Sequence, residues 1–158
     1  MKKITIFFTA TILMAGIFAV TAFVPSSNRP SASGQGGLVL NGRVQHFSFH
    51  ANTDASGNVS GTWESKSPGQ ECRQHGEITC MTILPDGKTA ILSGVITNTD
   101  GVCFGSTIGT PISFEVQDNG EGTGAADLFS DYLIFASGCY DHGFFLQPIT
   151  NGNFQVKP

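Results

Sequence analysis

The residues best placed to do chemistry are the acids of Asp118-Asn119-Gly120-Glu121-Gly122, with Asp127 and Asp131 following shortly after. Oxygen ligands crowded into a glycine-rich loop suit Ca²⁺, which takes about 6–8 oxygens and tolerates irregular geometry. Asp118, Glu121 and Asp127 are therefore the candidate metal ligands, and Ca²⁺ is the one cofactor the chain suggests. The spacing departs from an EF-hand loop, which alternates its ligands and closes on a Glu. A strand-ending turn is the plainer reading: Asn-Gly accepts positive φ, and Asp hydrogen-bonds its own backbone. Glu121 and Asp127 are also the acids a secreted hydrolase would use. Such an enzyme needs two carboxyls converging at about 5–9 Å in a cleft.

The other reactive side chains are less well arranged. His46 and His50 share a strand face, but at about 3.3 Å per residue they stand roughly 13 Å apart, too far to bind one zinc. His75 and His142 have no spacing that brings them together. In Gly105-Ser106-Thr107-Ile108-Gly109 the serine comes one place early for a nucleophile elbow. Cys139 and His142 lie close in sequence, yet an exported cysteine is more often bridged than nucleophilic. The expectation is a chain without catalytic residues.

The even cysteine count, Cys72, Cys80, Cys103 and Cys139, points to two disulfides rather than zinc, because no C-x₂-C pair exists. With 74–84 as one strand, Cys80 lies roughly 20 Å from the strand's start and from Cys72. A bridge tolerates about 7 Å between Cα atoms. Cys72–Cys80 is thereby excluded, and its complement Cys103–Cys139 with it. Two pairings stay open: Cys72–Cys103 with Cys80–Cys139, or Cys72–Cys139 with Cys80–Cys103.

The compartment follows from the N-terminus. Lys2 and Lys3 precede an uncharged run from Ile4 to Val24, and Val20-Thr21-Ala22 offers a cleavage site after Ala22. Residues 1–22 are read as a signal peptide rather than an uncleaved anchor, and the destination as secreted or periplasmic. Residues 23–36 are read as a flexible Pro/Ser/Gly linker, and 37–158 as a single domain. The chain has 8 Lys+Arg against 12 Asp+Glu, net −4, and loss of Lys2 and Lys3 takes it to −6. Scattered bases on an acidic chain argue against nucleic acid and anionic membranes as partners.

Within the domain the periodicity is that of strands. Phe47, Phe49 and Ala51 alternate with His46, Ser48 and His50, and Trp63 points inward from 59–64. In 75–84, Ile78, Cys80, Thr82 and Leu84 are placed on one face. Pro85-Asp86-Gly87-Lys88 joins that strand to 90–97 as a hairpin. Runs at 112–117, 132–136, 144–149 and 153–156 complete the set. Many short strands make an all-β fold, an antiparallel meander forming a barrel-like sheet, with a two-sheet sandwich as the alternative. Of thirteen Phe, four lie at or beside the leader, and the nine others with Trp63 suit one core.

Three segments carry a resemblance: His75-Gly76-Glu77-Ile78-Thr79-Cys80, Phe114 to Gly122 with its D-N-G-E-G, and Gly152-Asn153-Phe154-Gln155-Val156. Together they resemble a loosely defined group of exported, mostly uncharacterised bacterial β-domains, with the post-COAP-1 type among its suggested relatives. The resemblance spans about residues 37–158 and implies a secreted all-β module without an assigned activity. It also implies that Cys80 and Cys139, at group-like positions, pair with each other and leave Cys72 to Cys103. The functional expectation is a non-catalytic binding or envelope-associated module. A carrier of a small apolar ligand and a secreted hydrolase are its rivals.

Overall fold

The computed structural model describes residues 29–158, apart from Asn41, Gly69, Gln70, Val102, Phe104, Gly122 and Thr123. The expected signal peptide, its expected cleavage point and residues 23–28 of the expected linker lie outside them. Ten strands follow in chain order: β1 (Ser31–Leu40), β2 (Arg43–Thr53), β3 (Val59–Ser67), β4 (Cys72–Ile83), β5 (Thr89–Asp100), β6 (Pro111–Gln117), β7 (Leu128–Ser130), β8 (Leu133–Ile134), β9 (Leu146–Pro148) and β10 (Asn151–Lys157). All pairings are antiparallel, in the order β10-β1-β2-β3-β4-β5-β6-β7-β9, with β8 also on β6. The sheet is a meander curled into a half-barrel, and no helix occurs among the described residues.

Its concave side is filled by aromatic rings. Phe47 and Phe129 stack at 4.0 Å, Phe49 meets Phe114 at 5.6 Å and Phe154 at 5.3 Å, and Tyr132 closes on Trp63 at 5.0 Å. These rings come from β2, β3, β6, β7, β10 and the turn after β7, so one cluster ties both halves of the sheet. The alternation read for β2 is present, with Phe47, Phe49 and Ala51 buried and His46, Ser48 and His50 exposed.

Residues 31–36, expected as linker, are instead part of β1, so the domain begins at Ser31 rather than at 37. This strand pairs with β2 on one side and β10 on the other. Its inward positions are Ala32, Gly34, Gly36 and Leu38. A Cβ at Gly34 would strike the Phe154 ring, and one at Gly36 would stand 3.1 Å from the Phe47 ring. The strand thus supplies empty space into which neighbouring rings project, and its backbone supplies the ladders.

β4 also differs from its expected phase. The register slips between Ile78 and Cys80, where Ile78 faces Gly94 but Cys80 faces Ser93. Thr79 is the extra residue of this bulge, which reverses the in–out alternation. Ile78 points into the core, and after the bulge Met81 and Ile83 pack against it, while Thr82 is exposed. Cys80 is thereby placed with Thr82 on the outer side, not beside Ile78. The hairpin at Pro85–Lys88 is present: the Asp86 carboxylate accepts the Lys88 N–H at 3.0 Å and the Thr89 N–H at 2.9 Å, and Gly87 has φ 70°.

Trp63, 1 % exposed, lies across the strand opposite Gly76, where a Cβ would run into the indole and into the Val95 carbonyl. Overpacking of this kind costs about 1–3 kcal/mol, and a backbone carbonyl cannot swing away. Gly76→Ala is expected to lose about 3 kcal/mol in urea unfolding. An unchanged midpoint would show that the indole moves freely.

Candidate functional site

The acids that begin as Ca²⁺ candidates meet on the open side of the barrel. β10 is laddered to β1, but across the gap toward β6 and β7 side chains replace the ladder. Asp127, 5 % exposed, accepts the Asn119 N–H at 2.8 Å on Oδ1 and the Phe154 N–H at 2.6 Å on Oδ2. Asp118 accepts the Gly120 N–H at 2.8 Å and the Val156 N–H at 3.0 Å. The Ile149 N–H donates to the Asp127 carbonyl at 3.0 Å. Glu121, exposed, takes the Asn153 amide at 3.2 Å. All four carboxylate oxygens of Asp118 and Asp127 therefore serve backbone donors, and two of those donors belong to the free edge of β10.

Hydrogen bonds from amides to a carboxylate are charge-assisted and roughly twice as strong as neutral ones. A general acid or nucleophile must turn an oxygen toward substrate; Asp127 turns both inward. A shallow cleft of ≈ 510 Å³ beside the clasp is lined by Gly120, Glu121, Asp127, Ile149, Asn151 and Asn153. Of its acids, only Glu121 is solvent-facing. Among the described residues no three His, Cys, Asp or Glu side chains gather as a metal site. His46 and His50 lie outward on β2, and His50 Nδ1 is 3.2 Å from the Thr62 hydroxyl. Ser106 is buried and donates to the Cys103 carbonyl at 2.6 Å, a fold-holding contact.

A second arrangement, invisible in the sequence, covers the outer face of β5 and β6. The disulfides join Cys72 to Cys103 and Cys80 to Cys139, with Cα atoms 5.1 Å and 5.9 Å apart. The second bridge pins the segment after β8 onto the sheet. There Gly138 donates its N–H to Ser93 Oγ at 3.1 Å, and its carbonyl lies 3.3 Å from Ser113 Oγ. Ser93 and Ser113 are both buried, so β5 is covered on both faces. Glu115, next on the same face, has its carboxyl held above the ordinary range, first by burial and then by the like charges of Asp141 and Asp86. Comparison with family models, curated proteins and solved structures gave no match to this chain.

Removing the Asp127 carboxylate takes the acceptor from the buried Phe154 N–H, at about 1–3 kcal/mol, and its bond from the half-buried Asn119 N–H. Asp127→Ala is therefore expected to cost about 2–5 kcal/mol in denaturant unfolding. The wild-type melting temperature is expected to stay unchanged in excess EGTA, whereas a clear fall would assign the acids to Ca²⁺. Glu115 makes the stability depend on pH. Its raised folded value means the folded state holds the proton more tightly, so this stabilisation is present at acid pH. It fades as the pH rises through the raised value. Glu115→Gln is expected to raise the melting temperature at pH 7 and to leave it unchanged below pH ~4, the lower edge of the glutamate range.

Proposed function

We propose that this chain is an exported, non-catalytic binding or envelope-associated module that works outside the cytoplasm, in the periplasm or beyond the cell. The observation that carries the reading is the use of Asp118 and Asp127. The most suggestive acids of the sequence are spent on backbone amides of the chain's own last strand. Two disulfides are chemistry of an oxidising compartment, and all four cysteines take part in them. No helix among the described residues is long and apolar enough to cross a membrane. The D-N-G-E-G and G-N-F-Q-V segments that carry the resemblance to exported bacterial β-domains are hydrogen-bonded to each other, which gives their joint occurrence a physical reason. An apolar guest would need the space that Phe47, Phe114, Phe129 and Phe154 occupy, so the carrier reading has less support.

The test is expression with the complete N-terminus in a bacterial host, followed by fractionation. The expected product lies outside the cytoplasm, begins near Phe23 and shows two disulfide-linked peptide pairs in non-reducing mass spectrometry. A cytoplasmic product beginning at Met1 with four free thiols would overturn the proposal. So would a hydrolytic activity of the purified protein that Glu121→Gln abolishes.

A further inference from the structure

The segment after β8 exposes large apolar side chains to an unusual degree. Phe135 is 69 % exposed, Tyr140 61 % and Phe145 77 %. The chain accepts strain there as well: Phe135 sits at φ 68°, a left-handed conformation that bulky residues rarely adopt. The segment is nonetheless held fast, by the Cys80–Cys139 bridge and by the Gly138 contacts with Ser93 and Ser113. Three rings at alternate positions form a row with Tyr140 as its exposed end: Tyr140 lies 4.1 Å from the half-buried His142, which meets the half-buried Phe144 edge-on at 5.5 Å. Rigid, exposed aromatic side chains lose little entropy on contact, which is why they concentrate at binding hot spots.

Charge selects the occupant. Residues 29–88 balance five bases with five acids, whereas residues 89–156 hold seven acids and neither Lys nor Arg. The ring row belongs to that second half. Asp141 lies between Tyr140 and His142, close enough to Glu115 for its charge to be felt there, as is that of Asp86 in the β4–β5 turn. Lys88, in the same turn, acts on Asp86. Crowded carboxylates beside aromatic faces repel anions and attract a cation through both charge and ring quadrupole.

We propose that the disulfide-pinned segment carrying Tyr140, Asp141, His142 and Phe144 is a docking surface for an Arg- or Lys-bearing segment of a partner protein. A guanidinium or ammonium group stacks on the Tyr140–His142 rings while Asp141 and Glu115 neutralise it. The inference rests on the reading of the chain as a binding module. The two fail separately, since a lost peptide interaction leaves the fractionation and thiol results standing.

The test uses the purified, oxidised chain and a fluorescein-labelled octa-arginine peptide, read by fluorescence anisotropy at low salt. Binding is expected, weakening with added NaCl, with octa-glutamate failing to bind. Tyr140→Ala keeps the charge and is expected to weaken binding about five-fold through the lost cation–π contact. Asp141→Asn is expected to do the same, and it retains an oxygen for the Gly143 N–H that Asp141 now accepts at 2.7 Å. Glu71→Gln removes one exposed charge in the turn before β4 and is expected to change affinity less than two-fold. Melting curves check that each variant is folded. Equal weakening by Glu71→Gln and Asp141→Asn would reduce the effect to bulk charge and overturn the proposal. No effect of Tyr140→Ala, no binding at all, or stronger binding to phosphatidylcholine vesicles or a neutral hexasaccharide would overturn it too.

Discussion

A sheet that curls through ten strands without zipping to itself leaves backbone donors on its last edge, and burying them unpaired is costly. Two carboxylates solve this problem. Asp118 and Asp127 reach from the β6–β7 connection to the amides of Val156 and Phe154 and do the work of a missing ladder. Those amides flank residues whose side chains complete the core, so the clasp also sets the depth of the Phe154 ring against Phe49 and Phe129. Carboxylates suit the task better than amides would, because they only accept and each oxygen can face a separate N–H.

The bridges act on other parts of the barrel. Cys72–Cys103 ties the start of β4 to the turn after β5, beside the buried Gln74–Ser106 contact of 2.5 Å. Cys80–Cys139 holds the covering segment to the outer face. They close loops of 31 and 59 residues, each worth about 4 kcal/mol in the chain-entropy treatment. That is a large share of the ~5–15 kcal/mol that an ordinary domain holds in total. The second bridge depends on the β4 bulge, since without the extra Thr79 the Cys80 side chain would point into the core. A single inserted residue thus turns a would-be core position into an anchor for the exposed aromatic segment.

Legibility in the sequence divides along physical lines. β2, β3 and β6 were readable because one face of each is apolar and the other polar, so period-two alternation survives in Phe47, Phe49 and Ala51. β1 was not, because its buried face is built from Gly34 and Gly36, and small residues that receive a neighbour's ring look like a linker. The Asn41-Gly42 pair that follows is a strong hairpin signal and could have located it. β7 is three residues long and escapes any periodic search. Asp118 and Asp127 stood out as unusual, but their partners are main-chain N–H groups 27 and 38 residues away, and a main-chain donor leaves no trace in residue types. Simple alternation puts Cys80 on the inner face with Ile78, and a bulge has no dependable composition signature to correct it.

The pairing of β1 with β10 places Ser31 opposite Lys157. A chain is made from its N-terminus, so the first strand emerges long before the neighbour that covers its free side. Until residue 157 is available, Gly34 and Gly36 line a vacant slot, and the outer edge of β1 is an open template. Contacts so distant along the chain are slow to form. Both disulfides, by contrast, involve nothing beyond Cys139 and do not need β10 in place. A sheet bridged at both disulfides but lacking β10 would keep one open edge along β1. That edge is closed by Asn151–Lys157, the seven residues that pair with β1.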